Sequence, residues 1–195
     1  MSSFTLQAQS RTDTGKGASR RLRRLSAQVP AIMYGENEPA VMLSVPHKDL
    51  MKSLDAEAFY SSIITLDIDG QSHKVVLRDL QRHPNAPRIL HADFQRVSST
   101  HKIHMRVPFH FMHEDTCVGV KQQGGSISHN MKDIEVTCLA ADLPEFIEVD
   151  LSAVEVGQVV HLSDIKLPKG VESVALSHGA DHDLPVVAVN ATKIG

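Results

Sequence analysis

Apolar residues return at every second position in one segment of this chain after another. Phe4, Leu6 and Ala8 share one side of residues 4–9, Val41, Leu43 and Val45 one side of residues 41–45, and Ile103, Met105, Val107, Phe109 and Phe111 one side of residues 101–111. A period of two places such side chains on one face of a strand, because successive Cβ atoms point to opposite sides. Turn signals separate the runs. The strongest is Asp69-Gly70, between the apolar runs 63–68 and 73–77. A type I′ hairpin turn needs positive φ at both central positions, which Asp tolerates and Gly favours. The sequence therefore predicts a mainly β chain. Residues 29–35 read as a short strand entered through Pro30 and ended by Gly35, and residues 41–45 as a strand at a sheet edge. Later strands are expected at 134–139, 146–151, 159–162 and 185–189, with a loop at 121–125 and a frayed tail from Asn190. Pro46 opens a short helix over residues 47–54, where Leu50, Met51 and Leu54 stand at helical spacing.

One stretch breaks the β pattern. Gly15-Lys16-Gly17-Ala18-Ser19-Arg20-Arg21-Leu22-Arg23-Arg24 holds four arginines and a lysine and no acid. Its glycines predict a loop, and the residues from Ala18 a helix. On that helix Ala18, Leu22 and Leu25 form a narrow apolar stripe for packing, and the arginines fan over the rest. Guanidinium forks match phosphate oxygens and release condensed counterions on contact, so such a surface suits a nucleic acid. A solvated charged face is the bland alternative. A P-loop is excluded, since the upstream glycine and the Lys-Ser/Thr pair are missing.

Charge is unevenly spread. The net charge is -3, yet the positive excess lies in residues 1–35 and the acidic excess in the second half. An anionic partner is expected for the first half only. The chain has no Trp and 2 Tyr, which argues against an aromatic base-stacking platform. Cys117 and Cys138 match no metal or redox spacing; a reduced cytoplasmic protein fits them best, and one buried disulfide stays open. No apolar h-region follows the first residues and no run approaches membrane-spanning length, so neither a signal peptide nor a membrane association is expected.

Past a loop framed by Pro84 and Pro87, the strand at 89–96 carries Ile89, His91, Asp93 and Gln95 on one face and Leu90, Ala92, Phe94 and Arg96 on the other. His91 and Asp93 are then neighbours: an imidazole beside a carboxylate. Such a pair can read polar edges, form half of a hydrolase or metal site, or merely face solvent. Tyr34, at a strand exit, is an ordinary core tyrosine or a ring with its hydroxyl outward. Four histidines crowd residues 101–113, but His104 and His110 are six positions apart on one strand face, too far for one metal without a fold-back. No metal, cofactor or small-molecule substrate is expected. At Ser98-Ser99-Thr100 the composition and the charge both change, which sets the expected domains at residues 1–97 and 98–195.

Three motifs in order resemble a known family. Gly15 through Arg23, then Pro30-Ala31-Ile32-Met33-Tyr34-Gly35, then Gln81-Arg82-His83-Pro84 with His91-Ala92-Asp93-Phe94, are similar to the bacterial large-subunit ribosomal protein that binds 5S ribosomal RNA. The second half resembles the longer form, general stress protein CTC, through Gln123-Gly124-Gly125, residues 143–150 and Leu167-Pro168-Lys169-Gly170. The resemblance implies a six-stranded N-terminal β-barrel with short helices, docked on a non-Watson–Crick internal loop of 5S rRNA, and a second β-rich domain of the CTC type. It implies RNA contacts by Arg11, Lys16, Ser19, Arg20, Arg23, Tyr34, Gln81, His91 and Asp93. The arginines and Lys16 would meet phosphates, Ser19 and Tyr34 backbone or ribose, and His91 and Asp93 base or sugar edges. A carboxylate stands near RNA best when it accepts an amino or hydroxyl proton. The loop Asn85-Ala86-Pro87-Arg88 departs from the family in having fewer bases. The implied protein is a non-enzymatic, cytoplasmic, ribosome-associated component of the large subunit, monomeric when free, with neighbouring ribosomal proteins as further partners. A His/Asp metal-assisted hydrolase and a protein-interaction adaptor are the alternatives.

Overall fold

The computed structural model describes residues 4–98 and 100–192, so Ser99 of the expected boundary and the first and last three residues lie outside it. The chain forms two compact units, residues 1–103 and 104–195.

In the first unit the strands are β1 (Phe4–Ser10), β2 (Gln28–Gly35), β3 (Glu38–Pro46), β4 (Ile64–Ile68), β5 (Gln71–Arg82) and β6 (Ile89–Arg96). They close into a barrel in the order β1-β3-β2-β6-β5-β4. Two local turns start the closure. Asp69 and Gly70 have φ of 51° and 88°, as the I′ hairpin requires, and Glu36 and Asn37 at 60° and 57° make the same kind of turn between β2 and β3. Two parallel ladders finish it: β1 on β4, with Leu6 opposite Leu66, and β2 on β6, with Ala31 opposite Ala92. The expected edge strand β3 is thus paired on both sides, by β1 and β2. A barrel has no edge to protect.

Alternation fills the interior. Leu6, Val29, Ala31, Met33, Leu43, Val45, Ile64, Leu66, Val75, Ala92 and Phe94 are at most 1% exposed. Each large apolar side chain removed from water this way contributes about 1.5–3 kcal/mol. Helix α2 (His47–Leu54) and the 3-10 turn Glu57–Tyr60 add Leu50, Leu54 and Phe59 to the same core. At Gly35, φ is 111°, a conformation that disfavours any side chain, and its carbonyl accepts from the buried Arg96 guanidinium at 3.2 Å. The same guanidinium donates to Pro39 O at 3.2 Å and lies 3.2 Å from Glu38, so one buried charge pins the β2–β3 turn.

Helix α1 (Gly15–Leu25) starts three residues earlier than expected. Its stripe packs less than expected too: Ala18 and Leu22 are half-buried, whereas Leu25 is 71% exposed. No residue of α1 is buried. Ser19 and Arg23 share the half-buried side instead. The helix lies on the barrel through a mixed face.

The second unit holds β7 (Lys102–Met112) from its third residue on, β8 (Gly125–His129), β9 (Asp133–Leu139), β10 (Ile147–Asp150), β11 (Val159–His161), β12 (Glu172–Ser173) and β13 (Pro185–Ala191), with short helices α3 (Val118–Lys121) and α4 (Val174–Ser177). They form a four-stranded sheet, β10-β7-β9-β12, and a three-stranded one, β11-β13-β8. Strands β8 and β12 had no clear period in the sequence. The loop expected at 121–125 is shorter, since α3 runs to Lys121 and β8 begins at Gly125. Nor does the tail fray at Asn190: β13 runs on to Ala191, where Asn190 faces Ser126 and Ala191 faces Gly125. Cys117 and Cys138 are both free and buried.

Gly125 shows how tightly β8 is seated. A Cβ there would meet Val156 Cγ2 at 2.6 Å, Gly119 O at 2.9 Å and Asn190 O at 3.0 Å. Overpacking of this kind costs about 1–3 kcal/mol. Gly125→Ala is therefore expected to speed hydrogen exchange in β8 and β13 while leaving the barrel amides unchanged; equal protection in both proteins would show that the contact relaxes freely.

Candidate nucleic-acid interface

Strands β2, β5 and β6 lie side by side, and their outward residues make one polar face. Asp93 sits opposite Ile32 on one side and Asp79 on the other, and His91 sits opposite Gln81. Alternation explains the placement: Ala92 and Phe94 point into the core, so His91 and Asp93 point out. The pair is half-exposed, at 28% and 29%, and joined by a 2.6 Å contact between His91 Nδ1 and Asp93 Oδ1. A carboxylate only accepts, so Nδ1 carries the proton, and in the neutral ring Nε2 is left with a lone pair to accept. The second carboxylate oxygen keeps its acceptor capacity.

Tyr34 stands on the same face. Burial pushes its phenol above the ordinary tyrosine range; the negative charge of Asp93 adds to this, Arg78 opposes it and Asp79 adds a little more. The hydroxyl is therefore a donor at neutral pH. Replacing Asp93 with Asn should lower the Tyr34 transition in an absorbance titration of a Tyr60→Phe background, without bringing it to the ordinary value, because burial is the larger cause. An unchanged titration would place Asp93 too far from the ring to matter.

The expected alternation fails at one point. Ile89 is 1% exposed and belongs to the core, while Leu90 is half-exposed. A register shift between Gln81 and Arg82 on the neighbouring strand rotates the start of β6. This turns the Leu90 carbonyl toward α1, where it accepts a hydrogen bond from Arg23 Nη1 at 3.0 Å. Arg23 thus ties the basic helix to the residue next to His91.

Between α1 and the turn before β6 lies a cleft of about 790 Å³. Arg20, Arg21, Arg23 and Arg24 line one side, and His83 and Arg88 the other, over a floor of Ala27, Ile89 and Leu90. Among the described residues, no carboxylate lines it. The turn is tied down by its own backbone, His83 N–H to Arg88 O at 2.8 Å, and by His47 Nε2, which accepts from the Ile89 N–H at 3.2 Å. Arg88 and His47 were not among the residues expected to matter. Only proximity in the fold shows them, since neither belongs to a basic run.

The remaining expected residues are spread around this centre. Lys16 is exposed in the first turn of α1, Ser19 is half-buried on its barrel side, and Gln81 is exposed on β5. Arg11 is further constrained: Nε donates to Leu43 O at 2.9 Å and Nη1 to Asp13 O at 2.6 Å. Much of its fork is already used by the barrel rim. Two of the four crowded histidines have separate partners, His104 meeting Thr137 and His113 meeting Asp150, and His129 farther on meets Glu114. Among the described residues, no three His, Cys, Asp or Glu side chains gather as a metal group, and no helix is long and apolar enough to cross a membrane.

A small closed barrel with an arginine cleft beside a polar sheet face is the architecture of a ribosomal protein class: residues 6–94 match the Ribosomal L25p family, and residues 102–193 match Ribosomal protein TL5, C-terminal domain. The similarity runs through both units. Large ribosomal subunit protein bL25 of Cellvibrio japonicus (strain Ueda107) is 57% identical over 192 residues, covering 98% of this chain and 95% of the relative. That of Hahella chejuensis (strain KCTC 2396) is 56% identical, covering 97% and 91%, and that of Stutzerimonas stutzeri (strain A1501) 55%, covering 100% and 94%. The chain belongs to the bL25 family, in its long two-domain form.

Proposed function

We propose that this chain is a non-enzymatic structural component of the large ribosomal subunit that binds an internal, non-Watson–Crick loop of 5S rRNA through residues 1–97. Its partners are then the 5S rRNA and adjacent subunit proteins, and its place is the cytoplasmic ribosome. A regular A-form helix hides its major groove, whereas a distorted region opens it. The arginine cleft offers forks for phosphates running past α1. Tyr34 and Ser19 are hydroxyls for ribose or backbone, and His91 Nε2 and the second oxygen of Asp93 are two adjacent acceptors for the amino protons of bases or the hydroxyl protons of ribose. The Arg23–Leu90 hydrogen bond carries this reading, because it brings the phosphate-binding side chains up to the reading pair.

Binding to a 5S rRNA internal-loop fragment, measured over a range of salt, tests it. With four to six phosphates engaged, log K against log[salt] should slope by roughly -3 to -5. Asp93→Ala should weaken binding and leave that slope nearly unchanged, since it removes a reader rather than a cation. Salt-independent association, or equal affinity for a regular duplex, would defeat the assignment. The adaptor reading predicts instead that changing Arg20, Arg21 and Arg23 to Gln leaves ribosome association intact.

A further inference from the structure

The second unit has a surface of a different kind. On β7 and β10 the register sets Glu148 beside His110 and Asp150 beside Met112. Ile147 and Val149 are buried beneath, so Glu148 and Asp150 point outward. Just before β10, Phe146 lies flat on the His110 ring, with centroids 4.1 Å apart and planes 9° from parallel. Phe146 is 39% exposed and Met112 42%. Two large apolar side chains are thus held in water beside two carboxylates, with Arg106 farther back on the same side of β7. Asp150 keeps its charge: the Ser152 N–H, then the His113 ring, hold its carboxyl below the usual range. Residues 140–192 carry nine Asp and Glu against two Lys.

We propose that this face, with Phe146, His110 and Met112 at its centre and Glu148 and Asp150 beside them, docks an arginine-rich segment of a protein partner. Charge complementarity selects the occupant. A guanidinium stacks on an aromatic face, its fork pairs with a carboxylate, and its aliphatic stem covers apolar surface such as Met112. Methionine and aromatic side chains are also the types that concentrate in protein interfaces. Phosphates would be repelled by the same carboxylates, so RNA is the wrong occupant here. The surface itself, and not the RNA reading of the barrel, carries this proposal.

The test uses the full chain and a fluorescein-labelled decapeptide of alternating arginine and alanine at about 0.15 M salt. Nuclear magnetic resonance should show the peptide shifting amides of residues 110–113 and 146–150. Phe146→Ser should lower affinity about two- to fivefold, as expected for losing an exposed cation–π contact. Glu148→Gln should lower it comparably. The distant pair Glu155→Gln with Asp181→Asn, which removes one more charge than Glu148→Gln and lies outside this face, should leave it within twofold. Thermal unfolding checks that each variant folds, and the exposure of residue 146 makes that the expected result. An equal loss with the distant pair would mean general charge attraction and would overturn the proposal. So would a loss of single-stranded RNA binding on Phe146→Ser, or self-association through this face. None of these outcomes depends on whether the barrel binds 5S rRNA.

Discussion

Changing Arg20 and Arg23 together to alanine should weaken binding to the 5S rRNA fragment on the order of 100-fold at about 0.1 M salt, from two lost hydrogen bonds to charged groups. The salt slope should flatten by about 1.5 units, since each phosphate contributes roughly 0.7–0.9. The two residues are not equivalent. Arg20 is exposed and lines the cleft, whereas Arg23 lines it and also donates to Leu90 O. Arg20→Ala should therefore act on RNA only, and Arg23→Ala should also loosen α1, whose faster hydrogen exchange would be visible without RNA. A large loss of affinity with an unchanged slope would mean that the arginines act by seating the helix, not by meeting phosphates.

The largest effect on stability is expected at Phe59. Its side chain is fully buried and meets Phe4 edge-on at 5.3 Å and Tyr60 at 6.4 Å. Phe59→Ala should cost about 3–5 kcal/mol, for lost transfer energy plus the cavity. Tyrosine fluorescence in a urea titration isolates this cost, because Tyr34 and Tyr60 both belong to the first unit and the chain has no Trp. The midpoint should fall with little change in the denaturant dependence. Phe146→Ala, at a half-exposed ring of the second unit, is the contrast and should leave that transition in place. The damage should also reach the cleft. Tyr60 accepts a hydrogen bond from Arg82, the last residue of β5, and the turn from His83 to Arg88 follows directly. A loosened Tyr60 frees that turn, so RNA affinity should fall further than the unfolded fraction explains. No change in midpoint would mean that the barrel repacks around the gap.

Features written in short-range chemistry were legible before the fold was known. The Asp69-Gly70 hairpin and the helix His47–Leu54 stand where the residues put them, because each depends on a few neighbours. The outward pairing of His91 and Asp93 followed from a period of two once Ala92 and Phe94 were inside. The misreadings share a cause. Leu25 looked like packing surface by its spacing along α1, but at the last turn of the helix it is left 71% exposed. Ile89 looked exposed by parity, but a shift on the facing strand turned it inward. Strand β8 has little apolar content of its own and is held by its ladder to β13, about sixty residues later.

From residue order alone, this chain was committed to strands of alternating polarity, a cationic helix and an acidic second half, since local backbone sterics and side-chain charge need no distant partner. Folding in three dimensions decided the rest: barrel closure by parallel ladders, the cleft with Arg88 and His47, and the Arg23 bond to a carbonyl 67 residues away. Long-range register carries no local signature, because it is set by how whole faces pack against one another.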